Sequence, residues 1–261
     1  MKDGEPMKLI VNADDFGYSR GVNEGIVKAI EEGIVRSTTL MVNQEGTEHA
    51  LCLLKNSTLR AAGIHLCITH GQPVAGLEKV ASLVDSTGNF KNPTDIYNEG
   101  IDKKEVLNEF EAQIMKVKDM GIRITHLDTH HHIHSHPLVL EAFIETAIKY
   151  RLPARSINQE MKNLFQSINI PTPDYFCGEW FGEAVSPESF RQFISSAQNQ
   201  AVGIMELMCH PGTVDQTLAE NSSYIDGRRK ELNILCQSST REFLNTNNIQ
   251  LCGYDFLMSG Q

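Results

Sequence analysis

The run Thr125-His126-Leu127-Asp128-Thr129-His130-His131-His132-Ile133-His134-Ser135-His136 packs six of the chain's ten histidines, and one aspartate, into twelve residues. Imidazole is the commonest protein ligand for borderline metals and the usual acid or base near neutral pH. The residues from Ile122 onward read as a strand, so the cluster sits where a strand ends and a loop begins. Alternate strand residues share a face, which turns His126, Asp128 and His130 the same way, with His132 following if the strand runs on. The plain alternatives are an affinity tag and a solvated polar loop. The run is internal, interrupted, and flanked by strand and helix patterns, which argues against a tag. A metal or acid–base site is the favoured reading.

Other chemically capable residues recur at matching places. Asn12, Asp14 and Asp15 follow an apolar run, Asn43 follows a β-rich one, His65 lies near the end of a third, and His210 ends a fourth before Pro211-Gly212. One carboxylate and two imidazoles form a common three-ligand set, which Asp15, His65 and His130 would supply. Asp14, beside Asp15, would then be free to act as a base, and His210 as a general acid. Each has a plainer reading: Asp15 as a helix cap, His65 as a satisfied core histidine, Asp14-Asp15 as a polar turn, His210 as a hydrogen-bonded structural histidine.

The elements that must position them alternate. Strands are expected at Met7–Asn12, Ser37–Val42, Ala61–Ile68, Ile122–Thr129, Ala154–Ile157, Gly203–Cys209 and Ile249–Phe256. Between them fall helices that begin near Ser19, Lys103, Leu138, Ser186 and Asp226, the first stopped by Gly33 in the C′ position. The pattern predicts an α/β fold with about seven parallel strands, as a sheet or barrel with helices outside. In such folds the C-terminal strand ends carry the site, so residues distant in sequence meet there. The chain reads as one domain over 1–261, with residues 1–6 a disordered lead and 69–100 a candidate substrate loop.

The 261 residues are 41% hydrophobic with a net charge of −10, enough for a full core and unfavourable for nucleic acid or an anionic membrane. No apolar stretch reaches transmembrane length, and the N-terminus lacks a signal-peptide core. Six scattered cysteines without CxxC spacing suit free thiols in a reducing cytoplasm.

Four motifs, in order, carry a resemblance: Ile10-Val11-Asn12-Ala13-Asp14-Asp15-Phe16-Gly17, Gly63-Ile64-His65-Leu66, Thr125 to His134, and Glu206-Leu207-Met208-Cys209-His210-Pro211. Together they resemble the YdjC-like carbohydrate deacetylases, which include the chito-oligosaccharide deacetylases of chitin breakdown. The resemblance implies a distorted (β/α) barrel of the polysaccharide deacetylase kind. It implies a divalent metal, Mg²⁺ or Zn²⁺, on Asp15, His65 and His130, with Asp14 as base, His210 as pocket histidine and Arg155 orienting the base. The implied reaction is hydrolysis of a linear amide, the N-acetyl group of an amino sugar or short oligosaccharide. Asp128, His132 and Glu206 are expected to orient ligands or touch substrate. Thr129 stands where many members have Ser.

The competing readings are another metal-dependent amidohydrolase, and a metal- or carbohydrate-binding protein without catalysis. Non-haem iron oxygenases share the ligand set, but their all-β scaffold conflicts with the alternation here. Tyr175, Phe176, Trp180 and Phe181 read equally as a sugar platform or as a core plug or dimer contact. A homodimer is the base-rate expectation.

Overall fold

The computed structural model describes residues 5–258. Of the expected lead, residues 1–4 lie outside them. Strand β1 (Met7–Phe16) is buried along its length except at Lys8, because it has neighbours on both edges. Helix α1 (Arg20–Glu31) follows, with the Ser19 side chain accepting from Val22 N. Then come β2 (Ser37–Leu40), α2 (Thr47–Asn56) and β3 (Ala61–Leu66). Next are α3 (Pro93–Asn98), α4 (Lys103–Asp119), β4 (Arg123–Thr129), α5 (Pro137–Tyr150), α6 (Gln159–Ser167) and β5 (Tyr175–Cys177). The chain closes with α7 (Pro187–Asn199), β6 (Ile204–Cys209), α8 (Gln216–Asn221), α9 (Asp226–Leu235), α10 (Ser238–Thr246) and β7 (Ile249–Cys252).

All strand pairs are parallel, in the order β4-β3-β2-β1-β6-β5. β6 runs along one edge of β1 at Lys8–Ala13. The other edge is shared: β7 pairs with Met7–Ile10 and β2 with Asn12–Phe16. The ends of the sheet approach each other through residues 153–172. Leu127 N donates to Pro153 O at 2.9 Å, Arg155 N to Leu127 O at 3.0 Å, and Ala154 N to Pro171 O at 2.9 Å. This near-closure makes the sheet a distorted barrel.

The expected strand at Ala154–Ile157 is not a strand. It is a single bridge, Ala154 to Leu127, and the strand beside β6 is instead β5 at Tyr175–Cys177. Pro153, Pro171 and Pro173 have no N–H to donate, so a continuous ladder cannot form there. Gly33 also plays a different part from the one expected. Its φ is not positive; a Cβ there would meet Ala29 O at 2.6 Å and Leu235 O at 2.7 Å, so glycine is needed for the close approach of α1 and α9.

Helix α4 shows why residues 69–100 are ordered. Val106, Phe110, Ile114 and Val117 pack inward at helical spacing. Glu109 and Gln113 share that buried face. Glu109 accepts from Val74 N and Ala75 N, both at 2.9 Å, while Gln113 bonds both the N–H and the carbonyl of Cys67. Val80, Leu83 and Ile96 are fully buried beneath the segment, each contributing ~1.5–3 kcal/mol. Among the described residues, no helix is long and apolar enough to cross a membrane.

Candidate metal centre and its pocket

Adjacent residues on a regular strand face opposite ways. Asp14 and Asp15 escape this rule. The β1–β2 register slips between Ala13 and Phe16, leaving one extra residue on β1, and Asp15 has a left-handed φ of 69°. The bulge aims both carboxylates into one pocket.

Asp15 Oδ2 accepts from Arg228 Nη2 at 2.6 Å. Its Oδ1 is buried with no hydrogen-bond partner and lies 3.4 Å from both His65 Nε2 and His130 Nδ1. His65 comes from β3, where its Cα partner on β4 is Asp128, and its Nδ1 meets Asp128 Oδ1 at 2.7 Å. That contact places the Nδ1 proton toward Asp128 and leaves Nε2 for a ligand. His130 arrives differently from expectation. β4 ends at Thr129, and residues 130–135 form a 3₁₀ turn in which His131 and His132 are left-handed, at φ 55° and 49°. This backbone is costly for non-glycine residues, and it brings His130 to Asp15.

A divalent cation suits this trio. The buried carboxylate oxygen and two ring nitrogens form the expected donor set, their ligand atoms all within 4.8 Å of one another. The charges agree. Asp14, Asp15, Asp128 and Glu206 face Arg155, Arg228 and the rings of His65 and His130; with both rings neutral, as metal ligands must be, four carboxyl groups meet two guanidinium groups in a buried setting. Without a cation, burial lowers the His65 pKa but Asp128 outweighs it, taking it up to about 10. In a second grouping, Asp14, His65 and Asp128, the ligand atoms are already engaged: His65 Nδ1 meets Asp128, and Arg155 holds Asp14.

Asp14 is gripped by Arg155, Nη1 to Oδ2 at 2.6 Å and Nη2 to Oδ1 at 2.7 Å, and Asn12 donates to Oδ1 at 2.8 Å. Burial pushes its pKa up, but the guanidinium outweighs that and holds the carboxyl well below the usual range. Asp15 is likewise held low, burial being overcome chiefly by Arg228. Arg155 also meets Asp128 Oδ2 at 3.0 Å and Glu206 Oε1 at 2.7 Å, and Tyr254 Oη donates to Glu206 Oε2 at 2.5 Å. Thr39 Oγ1 donates to Asp128 Oδ2 at 3.0 Å.

The remaining histidines divide. His126 lies below the pocket on the same side of the sheet, its ring flat on Tyr254 at 3.6 Å and against Gly63, where a Cβ would come within 2.3 Å. His134 is core, Nδ1 to Thr129 Oγ1 at 2.5 Å and stacked on Phe143. His132 lines the pocket beside Phe176, and its buried Nδ1 has no hydrogen-bond partner among the described residues. His210 also lines the pocket; burial pushes its pKa down to about 4, so the ring is neutral near pH 7.

The cavity is about 520 Å³, a size usual for small-molecule sites. The segment 69–100 gives it His70 and Pro93, while Phe181 and residues 221–224 form much of the rest. Sequence reasoning missed Arg228, Tyr224 and Glu231. The signal was present: Arg228, Glu231, Leu232 and Leu235 lie on the buried stripe of α9, two charges at core spacing.

A sequence model of the YdjC-like protein family matches residues 8–246. The chain belongs to that family. YdjC-like relatives align almost end to end. A carbohydrate deacetylase from Brevibacillus brevis is 38% identical, covering 96% of this chain and all of that one. Another from Thermoanaerobacter pseudethanolicus is 37% identical over 95% of this chain and 98% of its own. Among solved structures, a "putative cellobiose-phosphate cleavage protein" from Enterococcus faecalis superposes with a TM-score of 0.91 at 33% identity, covering 97% of this chain and 99% of its own. A lactam utilization protein from Thermus thermophilus, 14% identical with a TM-score of 0.55 over 95% of this chain and all of its own, shares the fold alone.

Proposed function

We propose that this protein is a metal-dependent hydrolase that removes N-acetyl groups from an amino sugar or short chito-oligosaccharide. The reading rests on the buried, unpartnered Asp15 Oδ1, faced at 3.4 Å by two imidazole nitrogens at the wall of an open pocket. Near-full-length likeness to relatives named carbohydrate deacetylases supports it. Asp15, His65 and His130 would hold the ion, Mg²⁺ or Zn²⁺. Such an ion, when bound, polarises an acyl carbonyl and acidifies water.

The chain's own residues supply the proton transfers. An amide resists hydrolysis because its carbonyl is a poor electrophile and its amine a poor leaving group. Asp14 is kept ionised and oriented by Arg155. Its Oδ1 accepts from Arg155, Asn12 and, at 3.5 Å, Thr39, while Oδ2 accepts from Arg155 Nη1 alone among the described residues, which leaves a lone pair on Oδ2 to take the proton of the attacking water. His210 rests neutral. It takes a proton from solvent as negative charge builds on the adduct and passes it to the departing amine, and Asp14 returns the water's proton to solvent once the products leave. Asp128 holds His65, and Glu206 with Tyr254 holds Arg155.

Acetate release from N,N′-diacetylchitobiose tests the reading, using chelator-stripped protein with Mg²⁺, Mn²⁺, Zn²⁺ or Co²⁺ restored singly. Release that depends on an added ion is the expected result. No release with any ion, in protein that has bound it, would reject this activity on that sugar.

A further inference from the structure

One wall of the pocket has no part in the proton transfers. Phe181 lines it with its side open to solvent, 43% exposed. Its ring lies on Tyr224, centroids 4.1 Å apart and planes 25° apart, with its other neighbour, His210, edge-on at 5.3 Å. Tyr224 is itself fixed: its Oη donates to Glu231 Oε1 at 2.5 Å and accepts from Gly182 N at 3.2 Å. Phe181 is therefore a braced apolar plate rather than a loose side chain. Arg228 adds a donor to the same pocket. Its Nη2 serves Asp15 and its Nε the Tyr224 carbonyl, but Nη1 is buried without an acceptor in a residue only 4% exposed. A buried N–H is normally satisfied, and this one is left without an acceptor among the described residues in a side chain that lines the pocket.

We propose that Phe181 and Arg228 form a saccharide subsite. A sugar ring packs its C–H face on Phe181, and one of its oxygens accepts from Arg228 Nη1. The inference rests on the carbohydrate reading above and names the residues that would recognise the ring. An apolar plate with a charged donor at its edge matches a ligand whose faces are C–H and whose rim is hydroxyl. The neighbouring aromatics are otherwise engaged. Trp180 is fully buried and donates to Ser186 O at 3.2 Å, and Phe176 lies under Arg155.

The test is calorimetric titration of the metal-loaded, full-length protein with N,N′-diacetylchitobiose, with acetate assayed in the same samples. Phe181→Ala should weaken binding roughly tenfold, and Phe181→Trp should bind as wild type does. Arg228→Lys lacks the second terminal nitrogen that would reach the sugar while the first holds Asp15, and should weaken binding several-fold. Unchanged affinity in Phe181→Ala, equal loss in Phe181→Trp, or no binding by wild type would overturn the subsite. Unchanged affinity in Arg228→Lys would remove Arg228 from it. Binding that follows the expected pattern without acetate release would leave the subsite standing and reject the deacetylase.

Discussion

Arg155 and Asp14, 141 positions apart in sequence, form a two-pronged ion pair at 2.6 and 2.7 Å in the floor of the pocket, with both side chains removed from solvent. The same guanidinium carries Asp128 and Glu206. Removing it would leave three buried carboxylates without their shared counter-charge. Arg155→Met should therefore cost about 3–5 kcal/mol of stability, read as a lower denaturant midpoint. Arg155→Lys should recover only part of the loss, because an ammonium cannot reproduce the planar fork.

Among the described residues, the hydrogen bonds to Asp14 come from Asn12, Thr39 and Arg155, and not from Asp15, His65 or His130. Asp14→Asn should retain about one ion per chain by elemental analysis while losing ~10²–10⁴ of turnover. Near-wild-type turnover in that variant would remove Asp14 as the base.

Asp128 would act on a bound ion through His65, whose Nδ1 it holds at 2.7 Å. Asp128→Asn should weaken metal affinity by ~10–100-fold, as measured by competition with a chelating dye. His65→Ala and His130→Ala should abolish stoichiometric binding altogether.

Glu231 gives a pH signature. Burial drives its pKa from 4.5 up to about 7, against the opposing pull of the Tyr224 hydroxyl and the His210 amide. Below pH 4.5 the carboxyl is protonated both folded and unfolded. Between 4.5 and 7 the unfolded chain releases the proton and the folded chain keeps it, so stability falls as pH rises. The loss is complete above pH 7, at roughly 3 kcal/mol. Relative to wild type, Glu231→Gln should gain stability across that window and stay level beyond it, as seen in urea melts. A constant difference from pH 4 to 8 would contradict the shift.

Residue type and place explain what the sequence made legible. Asp15, His65 and His130 stand near the ends of strands with recognisable patterns, so their convergence follows from a parallel α/β fold. Arg155 came only from resemblance, since nothing local distinguishes it. The alternation rule put His126 on the side of Asp128 but could not give its depth, because a ring packed against Gly63 and Tyr254 below the pocket is a packing outcome with no short-range signal. Strand β5 is three residues long, too short for periodicity to register. Arg228 and Glu231 were hidden because charges on a helix are ordinarily solvated; only their apolar neighbours at i+3 and i+4 mark the face as buried.

The most direct test of the central claim is a crystal soaked in Mn²⁺ or grown with Zn²⁺, with anomalous scattering used to locate the ion. One strong peak is expected about 2.0–2.2 Å from Asp15 Oδ1, His65 Nε2 and His130 Nδ1. A peak among Asp14, His65 and Asp128, or none in this pocket, would contradict it.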